Sequence, residues 1–431
     1  MRKIWLAVAI FIVLGAGYLG AQAYSSHVFE RELAKALENL RSNQQWQIER
    51  EAIERGWFHS SGRLKITPVD EQAWWISTPY VARHGLLSTR LKGILQGQQP
   101  SVETDVDNPL KDDPRQEASA LFGDMLDSPA PRWTTTFHTL DRRADGRVDI
   151  SPFELLQDGK RLSSEGASVT FEGHADDIRL EGTIAPLELQ SEEEALVTSA
   201  LTFNSRYQVA GNGDTLFQRS AFHLERLEYR GRQQAPITLL GLSYEGESQL
   251  DDQLRVDASL ALDEAQLAGE AVLSGRLKAT LERLNGAAIR RLKAQFADLV
   301  EKQGGDFWSL DDAQRKVLVQ RLEPALLATL VDSPRFTLEG ITLQSPLFGV
   351  DVRGSGELVF EGDDSQTLNI DDLLNGNAQA WRERLNGAFS WQGVPPLMAL
   401  QLGLSPDTRQ IDVQVEQGKV LIEGQPLPPL F

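Results

Sequence analysis

The side chains best suited to chemistry in this chain are its six histidines: His27, His59, His84, His138, His174 and His223. Imidazole carries protons near neutral pH and ligates zinc, but a metal centre needs several ligands converging on one point. These histidines are scattered, with no His-Glu-x-x-His and no close pair. A metal would need ligands from distant strands, so surface or structural histidines are expected. The absence of cysteine excludes disulfides, thiolate nucleophiles and cysteine-ligated metals. Gly354-Ser355-Gly356 lacks the third glycine and the strand-to-helix setting of a dinucleotide loop, and reads as a strand turn or bulge. The chain has no P-loop and no Gly-x-Ser-x-Gly elbow. The segment from Asp141 to Asp149 contains Asp145-Gly146, but Arg143 and Pro152 stand where a calcium loop needs an oxygen ligand and a glutamate. Asp176-Asp177, Asp311-Asp312 and Asp363-Asp364 suit turns and helix starts. No catalytic, cofactor-binding or metal-binding residue is assigned, and no cofactor is expected.

The most specific local signal is Arg55-Gly56-Trp57-Phe58. A glycine between a cation and two large aromatics can shape a binding cleft. The plainer reading, preferred here, is a strand bend with its aromatics packed in the core. The elements around it read as strands: Trp46, Ile48 and Ile53 before it, a Ser60-Ser61-Gly62 turn after it, then Leu64 to Thr67, Trp74 to Ile76 and Leu86-Leu87.

Location is set by the first residues. Arg2 and Lys3 precede an uncharged apolar run from Ile4 to about Ala23. As a helix, about 20 residues rising ~1.5 Å each span the ~30 Å of a bilayer core. Trp5 and Tyr18 lie near its ends, where aromatic rings favour the interface. The two cations hold the N-terminus in the cytoplasm, which places everything after Tyr24 outside. The run exceeds the usual ~7–15-residue signal core, favouring a retained anchor, whereas Ala21-Gln22-Ala23 fits a cleavage pattern and leaves processing after Ala23 open. The net charge of −19 over 431 residues repels phosphate backbones and argues against nucleic-acid binding, and equally against a polybasic grip on anionic headgroups.

The chain divides into a membrane anchor or uncleaved signal (1–24), an N-terminal helix with strands (25–96), and a Pro/Asp-rich surface insertion (97–132). A β region (133–285), a helical segment (286–333) and a C-terminal α+β region (334–431) follow. Phe29, Leu33, Leu37 and Leu40 recur at helical spacing over about Ser26 to Asn43. The insertion carries five prolines, and a short helix is expected near 117–126. Leu254 to Leu260 alternates strictly, which means one buried and one solvated face, as in antiparallel sheet. Val169/Phe171, Ile178/Leu180, Leu201/Phe203 and Leu224/Leu227 mark further short strands, separated by turns such as Gly211 to Asp214 and Asp251-Asp252. Two helices follow, one on Ile289 to Val300 and one opening at Leu310, which Pro324 should kink or split. Strands resume at Phe336 to Leu338 and Ile341 to Leu343, a short helix covers Ile370 to Leu385, and a hairpin turns at Gln417-Gly418.

The anchor, the following helix, Arg55-Gly56-Trp57-Phe58-His59-Ser60, His84-Gly85-Leu86-Leu87 and the closing hairpin from Val413 to Gly424 resemble the bacterial YdgA-like proteins. The similarity extends over nearly the whole chain, on short and degenerate motifs. The family's last turn is often Asn-Gly, where this chain has Glu423-Gly424, and the segment from Gly97 to Pro131 looks like an insertion. The resemblance implies an inner-membrane anchor and a large periplasmic domain, and implies no activity. Arg55, Gly56, Trp57, Phe58, His59, His84 and Gly85 are the family-like positions to test.

The expected architecture is α+β and β-rich: a transmembrane helix followed by a long curved antiparallel sheet partly covered by helices. Alternating strands outnumber candidate covering helices, so part of an apolar sheet face needs another cover. The leading expectation is a non-enzymatic envelope protein that binds a lipid or an amphipathic envelope-protein client on that face. The alternatives are a scaffold for envelope partners and a hydrolase whose site is built from distant residues.

Overall fold

The computed structural model describes residues 22, 24–35, 37, 46–68, 75–98, 128–157, 159–174, 176–210, 215–302 and 312–426. The expected anchor lies outside them apart from Gln22 and Tyr24, as do most of the Pro-rich segment with its expected short helix and the turn at Gly211 to Asp214. No helix among the described residues is long and apolar enough to cross a membrane. The chain forms two compact units, Met1–Ala185 and Pro186–Phe431, so their boundary falls inside the region 133–285.

The first unit opens with helix α1 (residues 24–35). Its strands are β1 (Trp46–Glu54), β2 (His59–Pro68), β3 (Trp75–His84), β4 (Ser88–Ile94), β5 (Gln96–Gln98), β6 (Arg132–His138), β7 (Arg143–Ile150), β8 (Phe153–Gln157), β9 (Lys160–Ser164), β10 (Ala167–His174) and β11 (Asp177–Ile184). Antiparallel pairing runs β1-β2-β3-β4-β6-β7-β10-β11, with β5 extending beside β3 and β8 pairing β9 as a hairpin. Residues 60–62, expected as a turn, lie inside β2, and the chain turns earlier, over residues 55–58. Small polar residues tolerate a strand when one of them has a buried partner, as Ser60 does. Gly97 and Gln98, expected in the insertion, belong to β5, and Arg132 opens β6.

Helix α1 exists because its apolar residues fall on one stripe. Val28 and Phe29 bury against Tyr80, Ala82, Leu91 and Phe137 on the sheet, with Leu33 and Leu64 beside them. Full burial of each such side chain contributes about 1.5–3 kcal/mol, enough to hold a helix too short to persist alone.

In the second unit the strands are β12 (Leu187–Gln190), β13 (Glu194–Thr198), β14 (Leu201–Ala210), β15 (Thr215–Gly231), β16 (Ile237–Leu250), β17 (Gln253–Leu267) and β18 (Glu270–Asn285). Helices α2 (Gly286–Lys302) and α3 (Asp312–Ala328) interrupt them. Then come β19 (Arg335–Ser345), β20 (Val350–Phe360), α4 (Ile370–Leu374), α5 (Gln379–Arg382), β21 (Leu385–Gln392), α6 (Pro396–Gln401), β22 (Gln410–Glu416), β23 (Lys419–Ile422) and β24 (Gln425–Pro426). From β14 to β24 each strand pairs antiparallel with the next. Leu224 and Leu227 share one 17-residue strand, and Phe336 to Leu343 forms one strand rather than two. The element α3 continues through Pro324, which removes one amide donor from the helix without ending it. The helix expected over Ile370 to Leu385 is two short ones, broken where Gly376 takes φ 80°. Gly354-Ser355-Gly356 is regular strand paired with β21, and the irregularity lies opposite, between Leu338 and Ile341 of β19.

Candidate functional site

The family-like positions meet at one end of the first unit's sheet. Arg55 to Phe58 form the β1–β2 turn, and His84 and Gly85 open the β3–β4 turn. Pairing of β2 with β3 sets His59 opposite Arg83 and Ser60 opposite Ala82. The His84 amide then donates to the Phe58 carbonyl at 2.8 Å. A side chain at Gly56 would bring its Cβ to 2.5 Å from the His59 carbonyl oxygen, so only glycine closes this turn undisturbed. Trp57 and Phe58 are 62% and 50% exposed, which overturns the expectation of aromatics packed in the core: they sit on a hairpin tip, not in a strand bend.

His84 is 3% exposed, and both ring nitrogens are engaged. Ser60 Oγ lies 3.1 Å from Nε2 and Thr89 Oγ1 3.0 Å from Nδ1. The Phe29 ring stands against it with centroids 5.5 Å apart. Burial lowers its pKa, Glu30 opposes that shift and His59 adds to it, leaving the imidazole more acidic than usual. A serine hydroxyl on a histidine is the start of a nucleophilic dyad, but here Ser60 and Thr89 are as buried as the ring, and the second nitrogen meets a hydroxyl rather than a carboxylate. The trio can orient and lock the β3–β4 turn; it gives a substrate no approach.

Beside it lies the unit's charged centre. Arg50 donates to both carboxylate oxygens of Glu30 at 2.8 and 3.0 Å and, through Nε, to the Tyr80 hydroxyl at 2.6 Å. Arg55 approaches the same carboxylate at 3.4 Å. Burial pushes Glu30 up, but the hydrogen bonds and charge of Arg50, with Arg55, outweigh it and hold the carboxyl below its ordinary value. Tyr80 is pushed up by burial, against the pull of Arg50. The sequence carries no local signal for this pair, whose members are 20 residues apart.

A cavity of about 290 Å³ lies between α1 and the sheet, lined by Phe29, Leu33, Trp133, Phe137, Phe171 and Ile178 among others. It falls just short of the ~300–1,000 Å³ usual for small-molecule pockets.

The second unit carries a larger apolar feature. Across β14 to β22 the register aligns Phe203, Phe222, Tyr244, Leu260, Leu277, Ile341, Gly354, Trp391 and Ile411 in one transverse row. Four residues along on β17, β18 and β20, and five on the bulged β19, Val256, Leu281, Phe336 and Leu358 form another row. The residues adjoining this row point to the other face and are polar: Arg219, Glu247, Asp257, Thr280, Thr337 and Glu357 align across the same strands. Ion pairs and hydrogen bonds lace that polar face. Arg255 pairs with Asp257 at 2.8 Å and with Glu282 at 3.3 Å, and Thr280 donates to Asp257 at 2.6 Å. The Arg255 hydrogen bond keeps the Asp257 carboxyl below its usual range, and Lys278 does the same for Glu339. Helix α3 packs Leu327 against Leu368 and Ile370, near Phe360 at the end of β20 and Trp381 of α5. The middle of the apolar face is left open among the described residues: Leu260, Leu277, Leu281, Phe336 and Leu343 are 36 to 44% exposed.

Among the described residues no group of three or more histidine, aspartate or glutamate side chains is placed to hold a metal ion. His138 instead pairs with Asp145 at 2.6 Å.

The model of the family described as bacterial protein of unknown function (DUF945) matches residues 1–381, and the chain belongs to that family. No curated protein and no solved structure matches the chain.

Proposed function

We propose that this member of the family is a single-pass protein of the bacterial inner membrane, placed more finely among its YdgA-like proteins. It holds a non-enzymatic, sheet-rich body in the periplasm, where the open apolar sheet face takes a lipid or another amphipathic client. The uncharged run from Ile4 to Ala23 supports the anchor, and Arg2 and Lys3 support its orientation. The observation that carries the client is the transverse row through Leu260 and Leu277, a contiguous apolar surface without a cover among the described residues. Surfaces of this kind mark binding sites, because water gains by leaving them.

The test is direct. Residues 25–431, purified without detergent, should carry co-purified lipid or enhance the fluorescence of a hydrophobic dye, and a long-chain fatty acid or lysophospholipid should displace that dye. Neither lipid nor dye binding would remove the client. Reproducible crosslinks to envelope proteins without lipid would instead favour a scaffold. An alkaline phosphatase fused to the C-terminus should be active, since that enzyme matures only outside the cytoplasm.

A further inference from the structure

Three hairpin turns of the first unit end side by side. Strands β1, β3 and β6 run in the same direction, so residues 55–58, 85–87 and 139–142 share one end of the sheet. Backbone hydrogen bonds of 2.8 Å tie them together, from the His84 amide to Phe58 and from the Thr139 amide to Leu87. Hairpin turns ordinarily present polar residues. Here Trp57, Phe58, Leu86, Leu87 and Leu140 face solvent, 41 to 73% exposed.

The start of α1 is fastened to the same turns. Gln22 Nε2 donates to the His84 carbonyl, Ser25 Oγ meets Thr139 Oγ1 at 2.7 Å, and Ser26 Oγ donates to the Gly56 carbonyl at 3.1 Å. The chain therefore enters this unit at the apolar tips, and the residues that lead there are the uncharged run ending at Ala23. A few residues back from Leu86-Leu87, Arg83 and Arg90 stand opposite each other on β3 and β4, both exposed and neither with an acidic partner among the described residues. Like charges in that position repel, unless an anionic layer faces them.

We propose that these three tips insert into the membrane leaflet from which the chain emerges. Trp57, Phe58, Leu86, Leu87 and Leu140 sit at the boundary of headgroups and acyl chains, with Arg83 and Arg90 level with the phosphates. The inference rests on reading residues 4–23 as a membrane anchor and adds a second contact that orients the body on the bilayer. Interfacial elements bury their apolar side ~5–10 Å deep, within reach of a hairpin tip, and cations behind it suit the phosphate layer. The net charge of −19 does not oppose this, because screening over ~8–10 Å leaves the local cations to decide.

The natural chain has no cysteine, so single labels are unambiguous. The full-length protein carrying Trp57→Cys, Leu87→Cys or Leu140→Cys is coupled to an environment-sensitive fluorophore. It is reconstituted into vesicles of phosphatidylethanolamine and phosphatidylglycerol containing a doxyl-labelled lipid. Arg132→Cys, at the opposite end of β6, is the control. Quenching several-fold stronger at the tips than at Arg132→Cys is expected, and it should weaken when Arg83→Glu and Arg90→Glu are added. Protein that floats with the vesicles while its tip labels are quenched no more than the control overturns the insertion and leaves the anchor standing. Tip labels shielded from aqueous iodide but untouched by the lipid quencher overturn it in favour of a second copy covering them. Protein that fails to float overturns the anchor and the insertion together.

Discussion

Ser60 Oγ and His84 Nε2 meet at 3.1 Å in a place that solvent does not reach, 24 residues apart in sequence and one strand apart in space. The contact shows how the family-like positions work together: His84 is a fastening between two hairpin turns. Burial lowers its pKa and so favours the neutral imidazole.

That state makes stability depend on pH. In the unfolded chain the imidazole takes up a proton as pH falls through about 6.5, whereas in the folded chain it resists. The unfolded state then binds more protons, so stability is complete above 6.5 and is lost on acidification from there toward the lowered folded-state value. Chemical denaturation of the wild type between neutral pH and pH 5 should show this loss. His84→Gln should flatten that part of the profile and cost about 1–3 kcal/mol at pH 7.5, as one or two buried hydroxyls lose their partner. Glu30 acts in a lower window, adding its own loss only as pH falls below 4.5. An unchanged profile in His84→Gln would deny the imidazole this role.

The Arg50–Glu30 pair, with side chains 8% and 16% exposed, should be costly to break and cheap to replace. Arg50→Met or Glu30→Gln alone leaves a desolvated polar partner behind, and about 3–5 kcal/mol of destabilisation is expected. Arg50→Met combined with Glu30→Leu should recover much of it, with the buried Tyr80 hydroxyl left without its partner and the exposed Arg55 returned to solvent. A double-mutant cycle by urea denaturation measures the coupling, and additive losses would mean that the two side chains do not depend on each other.

Charge placed on the apolar row should separate binding from folding. Leu260→Asp and Leu277→Asp alter side chains 44% and 38% exposed, so each should cost no more than about 1 kcal/mol. Dye and lipid binding should fall several-fold in the double variant. Ser259→Asp, on the polar face one residue away, is the control and should bind as the wild type does.

The closing hairpin offers a stabilising change. Gln417 takes φ 49° and Gly418 φ 73°, the paired left-handed geometry that Asn-Gly favours. Gln417→Asn should raise stability by about 0.5–1 kcal/mol, seen as a higher Tm. A lower Tm would indicate that the Gln417 side chain supports the turn in another way.

Several elements were legible in residue spacing alone. The stripe through Phe29 and Leu33 marked α1, the alternation from Leu254 to Leu260 marked β17, and Gln417-Gly418 marked the last hairpin. Failures came where a local preference was outweighed. Ser60-Ser61-Gly62 has turn composition, yet the buried partner of Ser60 holds the segment in a strand. Trp57 and Phe58 have core composition, yet they end on a tip, because a side chain at Gly56 would meet the His59 carbonyl and the chain must reverse there.

What the amino-acid sequence determined by itself is periodic or contiguous: which residues alternate, which recur every three or four positions, and that an uncharged apolar run from Ile4 to about Ala23 follows two cations. Such patterns need only neighbours in the chain. Cross-strand register and the convergence of distant turns depend on pairings tens of residues apart. Only the tertiary structure decided that His84 would meet Ser60 and Thr89, that Glu30 would meet Arg50, and that Leu260 would stand beside Leu277 in an open apolar row. A single strand shows that it has an apolar side; the neighbouring strands and helices decide whether that side is covered.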